Sequence, residues 1–111
     1  MRAFRRTDSA QVSLLVGAIV VASAFGLTGC GNAIFAIRAS AASRNLEQAR
    51  EMGAETLAPY EFYYAEEHLK KAQMEASEAD YGDARLLAAE SNEYALKAIR
   101  VARGAHRGAG R

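Results

Sequence analysis

The chain has 111 residues, half of them hydrophobic and 24% charged, with nine glycines, one proline and a single cysteine. That length supports one small domain, and the balance is too apolar and too poor in proline for a disordered chain. The lone cysteine excludes an internal disulfide framework and any multi-cysteine metal site, and a formal charge of +1 makes nucleic acid an unexpected partner.

In chain order, Arg2, Arg5 and Arg6 come first, and from Ser9 to Ile37 there is no charged side chain. Val12 to Leu27 is almost wholly apolar. A basic start, an apolar run and small residues at its end describe a secretory signal peptide over residues 1–29. A competing reading keeps residues 12–37 as the single-span anchor of a membrane accessory subunit, since about 20 apolar residues suffice to span.

Leu27-Thr28-Gly29-Cys30, placed at the end of that run, resembles the bacterial lipobox. The resemblance implies that lipoprotein signal peptidase reads Leu27, Thr28 and Gly29 and cleaves before Cys30. Cys30 then carries the covalent lipid (palmitate among its acyl chains) and becomes the mature N-terminus. A thiol is the nucleophile that thioether formation needs. Beyond that lipid no cofactor or metal is expected. The mature chain, residues 30–111, has 11 basic and 12 acidic groups. Gly31 stands where an aspartate would signal inner-membrane retention in enterobacterial lipoproteins. The expected location is therefore the outer membrane, with the domain facing the periplasm.

The remainder reads as helix, because alanine dominates and β-branched residues are rare after Ile37. Ala58-Pro59 and Asp80-Tyr81-Gly82-Asp83 divide it into three helices, about Asn32–Leu57, Pro59–Ala79 and Asp83–Arg103. Each carries a stripe at alternating steps of three and four. The first is Phe35, Ala39, Ala42, Leu46, Ala49 and Gly53; the second is Phe62, Ala65, Leu69, Ala72, Ala76 and Ala79. The third is Ala84, Ala88, Ser91, Ala95, Ala98 and Ala102. Stripes of this period stay on one face and pack at shallow angles, with small residues bringing the axes close. Pro59 suits a first helical turn, Gly82 a left-handed C-cap and Asp83 an N-cap. Glu66–Lys70, Glu67–Lys71 and Glu93–Lys97 are i, i+4 pairs in the favoured order. The expected fold is all-α. An antiparallel helical hairpin and a third long N-terminal helix form a coiled-coil-like three-helix bundle, preceded by a signal-peptide helix. The helical domain spans residues 30–103, and 104–111 is a flexible basic tail. Only Gly31 and Asn32 are available as a linker, about 7 Å of chain, so the first helix is expected to stand on the membrane as a short post.

Ala58-Pro59-Tyr60-Glu61, Ala65, Leu69, Ala72, Ala76, Tyr81-Gly82-Asp83, Ala84, Ala88, Glu90, Ala95 and Ala98 resemble a family of bacterial envelope lipoproteins. Its alanine-rich helical domain, of unknown function, often precedes an OmpA-like peptidoglycan-binding module. The likeness runs from about Ile37 to Ala102. No such module follows here, which leaves direct peptidoglycan binding open.

Few residues point to chemistry. His68 and His106 read as surface histidines, with Ala65 where a Glu-x-x-His metal motif needs a carboxylate. Glu61, Glu66, Glu67, Glu75, Glu78 and Asp80 read as a solvated helix face, and no catalytic set assembles. Tyr60, Tyr63 and Tyr64, beside Phe62, crowd more than one helix face, so some ring is exposed and available to a partner. Arg100, Arg103, Arg107 and Arg111 form a cationic end suited to an anionic surface. The sequence thus describes a lipid-anchored, non-enzymatic cell-envelope scaffold or adaptor. Its partners are membrane lipid, through the acyl anchor, and an envelope protein or a second copy of itself.

Overall fold

A computed structural model describes residues 7–26 and 29–110, all of them helical or in short turns, with no strand among them. Leu27, Thr28 and Arg111 lie outside the described residues. The chain divides into two compact units, Met1–Cys30 and Gly31–Arg111. In the first, α1 (Thr7–Gly26) is one 20-residue helix. Val12, Leu14, Leu15, Val16 and Ile19 are each more than half exposed. Among the described residues no helix is long and apolar enough to cross a membrane.

The second unit holds α2 (Gly29–Glu51, whose first two residues belong to the first unit), α3 (Ala54–Leu57), α4 (Pro59–Ser77) and α5 (Tyr81–Ala109). Ala42, Leu46 and Ala49 of α2 are buried, as are Phe62, Ala65 and Ala72 of α4. All six members of the third stripe are fully buried on α5, joined by Ile99. One contiguous core runs through Leu46, Ala49, Ala54, Ala58, Phe62, Ala65, Ala95, Ala98, Ile99 and Ala102. Close-packed alanines leave little room for larger groups, and Phe62 is the one large side chain that this core encloses completely.

Direction follows from the contacts. Tyr64 meets Glu90, Ala65 meets Ser91 and Tyr60 meets Tyr94, so α4 and α5 are antiparallel over their length. Ser91 Oγ donates to the Ala65 carbonyl at 2.6 Å, which satisfies a hydroxyl inside the alanine stripe. Phe35 meets Tyr81, Arg38 meets Arg85, Asn45 meets Asn92 and Met52 meets His106. Both partners advance together, so α2 and α5 are parallel. At the start of that pair a Cβ on Gly31 would stand 3.2 Å from Tyr81 Cβ, so glycine there permits close approach.

The ends differ from the sequence expectation in four places. The first helix begins at Gly29 rather than Asn32, and stops at Glu51 rather than Leu57. Gly53 adopts φ 75° and its N–H bonds the Arg50 carbonyl, after which Ala54–Leu57 makes a single turn. The heptad step from Ala49 to Gly53 continues through this break, so the stripe conceals it. At the other reversal Ala79, not Gly82, takes the left-handed conformation, with φ 63°. Asp80 N–H bonds the Glu75 carbonyl at 2.9 Å and Ala79 N–H bonds that of Ala76 at 3.1 Å, the paired bonds of a Schellman end. The N-cap of α5 is Asp80 rather than Asp83: its Oδ1 accepts from Asp83 N–H at 3.2 Å, and Gly82 lies in the first turn. Lastly, the segment from Gly104, expected as a flexible tail, continues α5 to Ala109. His106 Nε2 donates to the Met52 carbonyl at 2.8 Å, which ties this extension to the turn that ends α2.

Candidate functional site

Residues 60, 64 and 68 recur every four positions along α4, and residues 90, 94 and 97 occupy the facing edge of α5. Their side chains build a column. The Tyr64 ring lies 4.0 Å from the His68 ring at 18° and 4.0 Å from the Tyr94 ring at 32°. Two near-parallel rings at that distance must cover opposite faces of Tyr64. The Lys97 ammonium sits 4.1 Å from the centroid of Tyr94, a cation–π contact, and is held by Glu93 at 3.0 Å. Tyr60 approaches Tyr94 edge-on at 6.3 Å and is 65% exposed.

Glu90 organises the other side. Its Oε1 accepts from Tyr64 Oη at 2.6 Å, and its Oε2 lies 3.7 Å from His68 Nε2. His68 Nδ1 faces the Tyr64 carbonyl at 2.9 Å; a carbonyl only accepts, so Nδ1 carries the proton. The hydrogen bond to Glu90 holds the Tyr64 phenol protonated, and partial burial and the charge of Glu90 add to it, so its pKa is pushed up to about 12. A phenol with that pKa is a fixed donor rather than an acid or base at neutral pH. Glu90 also borders a shallow cleft of about 210 Å³ with Lys71, Glu75, Asp83, Leu86 and Leu87.

The three predicted patch tyrosines therefore separate. Tyr60 and Tyr64 join one cluster, with both faces of Tyr64 already covered. Tyr63 is half-exposed and makes its ring contact with Phe62, at 5.3 Å and 88°. The sequence alone does not single out the partners that complete the column: Tyr94, Glu90, Lys97 and His68. Their spacing on each helix was visible, but the pairing of α4 with α5 in this register was not. Of the three i, i+4 pairs, Glu93–Lys97 forms. Glu66 instead meets Arg50 of α2 at 3.3 Å, and Glu67 meets Lys70 at 3.2 Å.

Cys30 is exposed, next to the Gly31 that starts the second unit. Arg100, Arg103 and Arg107 are exposed on α5. Among the described residues no three His, Cys, Asp or Glu side chains gather where they could hold a metal ion. No curated protein and no solved structure matches the chain significantly. Residues 38–107 match a family described as a domain of unknown function, DUF4398, an interval that starts within α2 and ends within the α5 extension. With that match covering well over half its length, the chain belongs to the DUF4398 family.

Proposed function

We propose that this chain is a lipid-anchored envelope protein of the outer membrane. Its helical domain faces the periplasm and serves as a non-catalytic scaffold or adaptor. In this reading α2, α4 and α5 act as one up-down-up three-helix bundle, built on alanine seams and stiff enough to hold a surface at a fixed place. The observation that carries the proposal is the order of basic start, apolar run and Leu27-Thr28-Gly29-Cys30. The exposure of Cys30 is consistent with it. The Tyr64 column supports the non-catalytic part, because stacking and hydrogen bonding to Glu90 already engage its polar groups. Tyr60 and Tyr63 remain as exposed rings for a protein partner or a second copy.

The test is metabolic labelling with palmitate, together with mass measurement of the mature N-terminus. The expected result is an acylated chain beginning at Cys30, with label and cleavage both lost in Cys30→Ser. An unlabelled chain with its N-terminus intact overturns the lipoprotein reading in favour of an accessory subunit anchored through residues 12–37.

A further inference from the structure

The arginines are not distributed like the other charges. Among the described residues Arg50 forms ion pairs, with Glu47, Glu55 and Glu66, whereas Arg38, Arg44, Arg85, Arg100, Arg103 and Arg107 form none. Arg38 donates to the backbone carbonyl of Arg85, and Arg44 to Ser40 Oγ. At 3.6 residues per turn, Arg85, Asn92, Leu96, Arg100, Arg103 and Arg107 fall within about 80° of one another around α5. Asn92 bonds Asn45 of α2, so this arc opens on the α2 side. On α2, residues 34, 37, 38, 41, 44, 45 and 48 fall within about 120°, on the flank that Arg38 and Asn45 turn toward α5. No Asp or Glu of either helix lies in these arcs. Apolar side chains are exposed in them: Ile37 at 71%, Ile34 at 38% and Leu96 at 38%. The α2/α5 face, turned away from α4, thus mixes unpaired arginines with exposed isoleucine and leucine along the length of α5.

We infer that this α2/α5 face lies side-on against an anionic lipid bilayer. Arginines paired with headgroup phosphates and aliphatic side chains at the acyl boundary are what an interfacial helix surface presents. The inference deepens the anchored reading, because Gly31, next to Cys30 in sequence, packs on Tyr81 at the start of the α2/α5 pair that builds this face. It also replaces the upright post. Arg107 lies about 39 Å along α5 from Tyr81, beyond reach of the headgroups if the domain stands, since charges are screened within about 8 Å. Laid flat, every arginine of the face meets the surface at once.

The chain contains no tryptophan, so a single one reports its own depth. Leu96→Trp, about 22 Å along α5 from Tyr81, marks the face; Met74→Trp, on the 57% exposed site of α4, marks the opposite side. The full chain is bound to vesicles carrying bromine-labelled acyl chains, made either of phosphatidylcholine alone or with an equal part of phosphatidylglycerol. Anionic vesicles should quench Leu96→Trp by about half or more and leave Met74→Trp bright, with high salt reversing the effect. Arg100→Glu, Arg103→Glu and Arg107→Glu combined should abolish the quenching while circular dichroism stays helical. A bound chain with Leu96→Trp unquenched, or quenched equally by neutral vesicles, overturns the inference. Sedimentation with neutral vesicles reads the anchor separately. Binding and quenching confined to anionic vesicles would sustain the face while removing the anchor, and no binding to either vesicle would remove both.

Discussion

Helix α5 forms two seams that differ in direction and in how their register is fixed. Against α4 it is antiparallel, joined by the short reversal at Glu78–Asp80, and lined by alanine, Ser91 and the stacked rings of Tyr64 and Tyr94. Against α2 it is parallel, with all of α3 and α4 intervening in sequence; the Phe35 ring meets Tyr81, and polar contacts recur along the seam: Arg38 to the Arg85 carbonyl, Asn45 to Asn92, and His106 to the Met52 carbonyl just past the end of α2. A tight reversal limits how far two helices can slide, so the first seam tolerates a stripe of alanines broken only by Ser91. Two parallel helices with no direct connection have no such limit, and stripes of mostly small residues at heptad spacing give only weak resistance to a slip of seven. Discrete polar pairs remove that degeneracy, as a buried asparagine does in a coiled coil.

The largest expected effect tests how tightly the stripes close. Ala72→Leu or Ala95→Leu adds three carbons at a fully buried site and should cost ~1–3 kcal/mol by overpacking. Thermal unfolding followed by circular dichroism would show it as a fall of several degrees. Unchanged melting in both variants would mean that neither alanine is at a closed seam.

The second prediction separates stability from register. Asn92→Leu leaves the half-buried Asn45 amide without its 2.7 Å partner and should cost about 1 kcal/mol. Asn45→Leu combined with Asn92→Leu should cost less than that, since no polar group is stranded. The double variant should nonetheless lose definition between α2 and α5, seen as weakened nuclear Overhauser contacts between the Phe35 and Tyr81 rings. Retention of those contacts at full strength would show that the amide pair does not set the register.

What the sequence revealed follows the same division. The third stripe, Ala84 to Ala102, was legible residue by residue, because a heptad of small side chains depends on one helix alone. The polar pins were not, since Asn45 and Asn92 acquire meaning only when two helices of known relative direction are laid together. The column of Lys97, Tyr94, Tyr64 and His68 was hidden for the same reason. Gly53 was misplaced because it satisfied the stripe as well as a helix end, and Ala79 because alanine is the strongest helix former and gives no signal of a left-handed turn.

That turn yields a smaller prediction about the seam it governs. Ala79 bears the steric penalty of φ 63°, so Ala79→Gly should stabilise the domain by about 0.5–1 kcal/mol, even after the glycine's added unfolded-state freedom. Gly82 lies inside the first turn of α5, and a Cβ there would stand 3.4 Å from Asp80 Oδ1, an ordinary contact. Gly82→Ala should therefore be neutral or stabilising by a few tenths of a kcal/mol. Destabilisation by Ala79→Gly in chemical unfolding would move the constraint on register from the turn to the rings.

The smallest effect concerns those rings, and it is confined to high pH. The Tyr64 phenol, donating to Glu90, has its pKa raised from 10.0 to about 12 in the folded chain. A raised folded value means that the neutral phenol is the favoured partner. Its contribution is complete below pH 10 and is lost as pH rises from 10 through about 12. Titration of tyrosinate absorbance should show one tyrosine ionising near 12, and Glu90→Gln should bring it down toward the ordinary value, since the carboxylate acceptor is the leading cause. Tyr64→Phe should remove the loss of stability in that window while keeping the stack with Tyr94 and His68. If Glu90→Gln leaves the titration unchanged, the hydrogen bond is incidental and the antiparallel seam relies on stacking and its alanines. If it lowers the titration and loosens the column as well, the α4 seam has a second polar pin beside the Ser91–Ala65 hydrogen bond, and the contrast with α2 becomes one of degree.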